Sequence, residues 1–203
     1  MIGSTNAVED VNLKKSINYI EYIESTGTQY IDTEYIPNIN NNTKVVARYS
    51  YTTVYQYKML AGFDYGAGFC YGMLDANAYF CNWCKSQKTT NIKPVVGQIY
   101  TLEQTYKNGS QNLTLNGVSR LNTTFDFNYT PYAIYIFGRH MSSGAALLSD
   151  LKLYSLQIYD NDVLVRDFVP ILDKNNVACL YDKVSEKCFY NKGTGTFNAG
   201  AII

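Results

Sequence analysis

From Tyr19 onward the chain alternates apolar and polar residues in short runs. A period of two is the mark of a half-buried strand. The run "GTQYIDTEYIP" (27–37) is rich in β-branched and aromatic residues and ends at Pro37. "TKVVARYSY" (43–51) gives a second strand, and "QIYTLEQTYK" (98–107) a third. The third meets Asn108-Gly109; "SQNLTL" follows, then Asn116-Gly117, then "VSRLN". Asn-Gly between alternating runs is a strong hairpin signal, because both turn positions need φ > 0. Two such turns in succession predict an antiparallel meander.

The alternation continues through "LKLYSLQIYDNDVLVRDFVP" (151–170). It places Tyr154, Leu156 and Ile158 on one face, and Leu153, Ser155 and Gln157 on the other. A turn at Asp160-Asn161-Asp162 divides the run, and Pro170 is expected to close its second half. A last hairpin sets "VACLYD" against "KCFYN". With a turn at Ser185-Glu186, Cys188 would stand opposite Lys183. The pattern predicts roughly ten to twelve strands and no long helix, hence a sandwich or barrel.

The first eighteen residues differ from the rest. Asn6 and Glu9 resemble a capping box, and Val8, Val11 and Lys15 could line a short amphipathic helix. The expected division is an arm over 1–18 and one β domain over 19–203. A chain of 203 residues, 46% hydrophobic, can bury a sizeable core. Its formal net charge is zero and no basic stripe is visible, so nucleic acid is not an expected partner. No apolar run approaches the roughly 20 residues of a membrane span. The N-terminus contains no apolar signal segment. Five cysteines, an odd number, argue against a disulfide framework.

Three stretches carry more than periodicity. They are "YIESTGTQYIDTEYIPN" (22–38), "LKLYSLQIYDNDVLVRDFVPILDKNNVACLYD" (151–182) and "FYNKGTGTFNAG" (189–200). In wording and order this series resembles the laminin-G/concanavalin-like jelly-roll domains of gut phages and bacteria. The resemblance implies an all-β, two-sheet antiparallel sandwich, whose concave sheet often binds sugars or proteins. Two departures stand out. Glu34 and Asp162 occupy positions where that family often has glycine. Because Asp tolerates the left-handed region less well than Gly, another turn type is expected at Asn161-Asp162.

The candidate chemistry is sparse. Glucanases on this fold line up carboxylates on one strand. Asp32 and Glu34 share a strand face, but no third carboxylate follows. His140, the single histidine, lies near Ser142 and Ser143, but without the elbow or donor hole of a serine triad. In "CNWC", Cys81 and Cys84 have metal-ligand spacing but would face opposite sides of a strand. Asp64 and Asp75 are loop carboxylates that could serve calcium, but no Asp-rich loop surrounds them. No cofactor, metal or catalytic residue is expected. Sugar binding needs rings to stack on and polar groups for hydroxyls. The loop-rich stretch 62–83 offers Tyr65, Tyr71, Asp75, Asn77, Tyr79 and Trp83, and a second loop offers Arg139 and His140. Arg166 and Asp167 are read as fold devices that pair across the sheet.

Two functions follow as expectations. The first is a non-enzymatic virion structural or adhesion protein: a head fibre, capsid decoration or tail-associated subunit. Its arm would bind other virion proteins, a fibre would be a homotrimer, and glycans are an expected ligand. The second is a carbohydrate-binding module of a gut bacterial surface or secreted protein. The "GTGT" run (193–196) looks like a phosphate loop, but no helix follows it. Gly193 and Gly195 instead let the chain swing into a terminal strand, 196–203, expected to pair with "QYIDT".

Overall fold

Wherever a turn lets the chain double back, the alternating runs close into antiparallel ladders. The computed structural model describes residues 17–38, 40–63, 70–73, 80–84, 86–107, 109–124 and 132–203, without the side chains of 82–87. Residues 1–16 of the arm expected over 1–18 lie outside the described residues, and strand structure begins at Asn18, within its expected end. In chain order the first strands are β1 (Asn18–Tyr19), β2 (Ile23–Thr26), β3 (Ile31–Asp32), β4 (Asn42–Tyr51), β5 (Lys58–Gly62) and β6 (Cys70–Met73). There follow β7 (Phe80–Cys84), β8 (Ser86–Thr89), β9 (Tyr100–Lys107), β10 (Ser110–Leu115), β11 (Val118–Thr124) and β12 (Tyr135–Ile136). The last are β13 (Arg139–Met141), β14 (Gly144–Ala146), β15 (Asp150–Asp160), β16 (Val163–Leu172), β17 (Ala178–Asp182), β18 (Lys187–Phe189) and β19 (Asn198–Ala199). No helix occurs among the described residues.

The larger sheet runs β11-β10-β9-β4-β15-β16-β17-β18, with β1, β2 and β19 joined to it. The smaller runs β3-β12-β5-β6-β7-β8, and β13-β14 is a separate hairpin. The fold is therefore an all-β jelly-roll sandwich. Its core interleaves both inner faces: Val45, Tyr49, Leu102 and Leu156 from one sheet, Leu60, Tyr71, Phe80 and Ile136 from the other. The two sheets touch at a buried hydrogen bond between the Tyr49 and Tyr71 hydroxyls, 2.7 Å apart. Burial pushes both phenols well above their ordinary pKa.

The predicted meander forms as read: β9, β10 and β11 pair in sequence, with Asn116 at φ 51° and Gly117 at φ 75°. The Asn161-Asp162 turn corrects an expectation. Both residues take the left-handed conformation, φ 47° and 65°, so the turn keeps the form its Gly-bearing counterparts would use. Asn42 fixes it from the neighbouring strand. Asn161 N–H donates to the Asn42 carbonyl (2.8 Å), and Asn42 N–H donates to Asn161 Oδ1 (2.9 Å).

Four further expectations change. Pro170 does not end β16, which runs to Leu172. Cys188 stands opposite Tyr181, not Lys183. The chain end rejoins the sheet of the first strands but pairs with 20–24 rather than with "QYIDT": Asn198 faces Glu24, Ala199 faces Ile23, and Ile202 bridges Ile20. Lastly, β15 carries a bulge between Leu153 and Ser155. Leu153, Leu156 and Ile158 are all fully buried, while Tyr154 sits on the outer face.

The "GTGT" run is architecture. It lies against Thr28, whose carbonyl accepts from Thr194 N–H at 3.1 Å. A Cβ on Gly193 would collide with that same carbonyl. Arg166 and Asp167 pair across the sheet as read. Arg166 donates from Nε to the Thr33 carbonyl (3.0 Å) and approaches Asp182, while Asp167 accepts from Gln157 Nε2 (3.0 Å).

Candidate functional site

The inner faces are consumed by the core, so a ligand must use an outer face or an edge. The larger sheet opens where its ladder forks. The first half of β15 pairs with β2, from Asp150↔Thr26 to Leu153↔Ile23. The second half pairs with β16, beginning at Leu156↔Phe168. Beyond the fork β16 takes β1 as its neighbour, with Tyr19 opposite Ile171. Tyr154 and Ser155 stand at the branch point. Pro170, which has no N–H to give a ladder, faces the gap.

A cleft of about 580 Å³ occupies this fork. Pro170, Val169 and Ile20 line it, together with Tyr19, Glu21, Arg48, Tyr154, Ser155 and Lys183. Its size suits a small ligand or one segment of a longer one.

The bulge makes the wall. Leu153 pairs with Tyr49 and Ser155 with Arg48, so Tyr154 is the extra residue and turns outward beside Arg48. The Arg48 guanidinium lies over the Tyr154 ring, 4.7 Å from its centroid. Tyr154 meets Tyr22 edge to face at 5.7 Å, and Lys152 Nζ sits 4.2 Å over the Tyr22 ring. That ammonium also donates to the Tyr22 hydroxyl (3.1 Å), a bond that raises the Lys152 pKa above its ordinary value. Further along, Lys44 Nζ lies 4.4 Å over the Tyr159 ring. Tyr159 donates to Gln157 Oε1 (3.0 Å), and Lys183 approaches Asp167 at 3.7 Å. This face thus offers rings for apolar sugar faces, with guanidinium, ammonium, amide and carboxylate groups for hydroxyls.

The residues proposed from sequence fall elsewhere. Tyr71 is fully buried and spends its hydroxyl on Tyr49, which removes it as a stacking platform. Arg139 is 7% exposed, so it too belongs to the interior rather than to a binding loop. His140 is half-buried beside the smaller sheet. Its ring stacks on Tyr135 at 3.9 Å and 11°, and its Nδ1 lies 3.1 Å from the Ala133 carbonyl. Tyr135 stacks in turn on Tyr30 at 4.9 Å. Burial, then the nearby Asp32 carboxylate, pushes the Tyr135 phenol up to about 12. Tyr65, Asp75, Asn77 and Tyr79 lie outside the described residues, as does Asp64; Trp83 is described only as backbone, opposite Cys70. Asp32 and Glu34 do not form a carboxylate pair on a strand. Asp32 Oδ1 accepts from Glu34 N–H (2.8 Å), so Glu34 lies in a turn beyond β3. Cys81 packs with Met59, Cys70 and Leu147 and donates to the Gly72 carbonyl (3.3 Å). No cluster of three metal-ligating side chains occurs among the described residues.

Sequence reasoning missed Arg48, Tyr154, Tyr22 and Lys152. Alternation in "TKVVARYSY" does turn Lys44 and Arg48 outward with the polar set. The bulge that brings Tyr154 beside Arg48 leaves no mark in the pattern.

No family model matches the chain, and no curated protein matches it in sequence. Solved structures do match in shape. A candidate carbohydrate-binding protein of Bacteroides ovatus ATCC 8483 superposes over 91% of this chain with a TM-score of 0.63 and 13% identity. This chain spans 62% of that protein's length. A heptameric SAP-like pentraxin from Limulus polyphemus superposes over 74% of this chain and 76% of its own, with a TM-score of 0.51 and 13% identity. At these identities the likeness is one of fold, and the fold it shows is the antiparallel jelly-roll sandwich.

Proposed function

We propose that this chain is a non-catalytic carbohydrate-binding β-sandwich, and that the forked cleft with its row of tyrosines is the glycan site. One observation carries the reading: a sheet fork and a bulge together set Tyr154, Arg48, Tyr19 and Glu21 around one solvent-open cleft. Tyrosine rings beside charged hydrogen-bonding groups are what a sugar, apolar on its ring faces and polar at its rim, requires. Among the described residues lining the cleft Glu21 has the one carboxylate side chain, whereas glycoside hydrolysis employs a pair. Of the two settings expected from sequence, the bacterial carbohydrate-binding module is the one the Bacteroides ovatus neighbour supports.

A glycan array followed by isothermal titration tests the reading. Tyr154 is part-exposed on the outer face, so Tyr154→Ala should fold normally and bind about tenfold more weakly or worse. Absence of binding across a broad array, or an unchanged affinity in Tyr154→Ala, would remove the cleft from consideration.

A further inference from the structure

We infer, resting on the carbohydrate-binding reading, that the ligand is an acidic glycan: a chain of carboxylate-bearing sugars laid along β4 and β15. Three cations of the larger sheet's outer face are parked on tyrosine rings: Lys44 on Tyr159, Arg48 on Tyr154 and Lys152 on Tyr22. Lys44 and Arg48 are four residues apart on one strand, about 13 Å. Lys152 stands opposite Ser50, two residues further, so the row extends to about 20 Å. That length suits an oligosaccharide rather than a single sugar.

The neighbours of these cations decide the ligand's charge. Lys58, Arg166 and Lys183 already face carboxylates. Among the described residues, no carboxylate forms an ion pair with Arg48 or Lys44. The cross-strand partners of Arg48 are Thr101 and Ser155, and those of Lys44 are Thr105 and Tyr159. Glu103 stands opposite Val46, on the rung between Lys44 and Arg48, and Lys152, the third cation, stands opposite Glu24, so Arg48 and Lys44 are the two that carry the preference. A guanidinium resting on a ring uses its face, which leaves its edge of N–H donors for a carboxylate in two-point contact. The adjoining rings and the Ser155 and Thr101 hydroxyls serve the rest of the sugar.

Titration calorimetry with the intact chain tests this. The probes are trisaccharides of galacturonate and glucuronate and a sialylated lactose, each beside its methyl ester, which removes the charge and keeps the sugar. At least one acid should bind about tenfold or more tightly than its ester, and that margin should shrink as salt rises. Arg48→Gln and Lys44→Gln should each narrow the margin, and Arg48→Lys should restore only part of it. Esters binding as well as acids, or a margin untouched by both Gln variants, would overturn the acidic preference while the glycan reading stands. A sulfated sugar that binds when no carboxylate sugar does would overturn it as well. Failure of every acid and every neutral glycan would remove both.

Discussion

Glu34 holds a conformation that glycine would hold at less cost, and replacing it should stabilise the protein. Its φ is 56°, in the left-handed region, and its side chain is exposed. The turn is held by backbone: Glu34 N–H donates to Asp32 Oδ1 (2.8 Å), and Tyr35 N–H donates to Thr33 Oγ1 (3.3 Å). Glu34→Gly retains both bonds. An L-residue in the left-handed helical region costs roughly 1–2 kcal/mol. Glycine returns about 0.4–1 kcal/mol of that through the greater freedom of its unfolded chain. The net expected gain is about 0.5–1 kcal/mol, or about 1–4 °C in melting temperature for a chain of this size. Urea denaturation and thermal melts would measure it. Glu34→Ala is the control, since alanine removes the charge but keeps the Cβ that makes the conformation costly. Equal gains from Ala and Gly would trace the effect to the carboxylate and refute the backbone argument. Asp162→Gly should gain less, because Asp tolerates φ 65° better than Glu tolerates a like angle.

Two more predictions concern groups near the last hairpin. Burial alone would raise the Asp173 carboxyl, but the Val177 and Asn175 amides, the Tyr190 hydroxyl and Lys174 together hold it below its ordinary pKa. A depressed folded-state pKa stabilises above the unfolded value, about 3.9, and the benefit fades as pH falls through the folded value. Asp173→Asn should therefore cost about 1–3 kcal/mol at pH 7, with the deficit shrinking below about pH 4; a deficit unchanged at pH 2.5 would contradict this. The thiol of Cys188 is lowered below its ordinary pKa, first by a hydrogen bond from Cys179 and then by Tyr190, and Cys179 is raised. Iodoacetamide labelling read by peptide mass spectrometry should modify Cys188 before fully buried Cys179, with a pH midpoint below that of a free thiol. Earlier labelling of Cys179 would reverse the assignment.

Local chemistry made much of the fold legible. Asn116-Gly117 needs only its own φ preferences to turn the chain, and alternation on either side sets the register of β9 to β11. Alternation also marked "TKVVARYSY" as a strand, and the inward set of β4, Val45, Ala47, Tyr49 and Tyr51, is buried. The proposed ligand surface was less legible because an aromatic residue reads the same whether it packs or binds. Tyr71 and Tyr154 are both tyrosines on alternating segments. One is sealed between sheets beneath Tyr49, and the other is turned outward by a single extra residue in β15.

The sequence by itself determined an antiparallel β-sandwich and the turns of its meander, because those follow from a period of two and from turn residues within a few positions. Tertiary structure alone decided where β15 leaves β16 for β2, that the chain end returns to residues 20–24, and hence that Tyr19, Arg48, Tyr154 and Lys183 share one cleft. Those residues meet through strand pairings between distant parts of the chain. Such pairings follow from how the whole sheet closes over its core, and no local window of sequence contains that information.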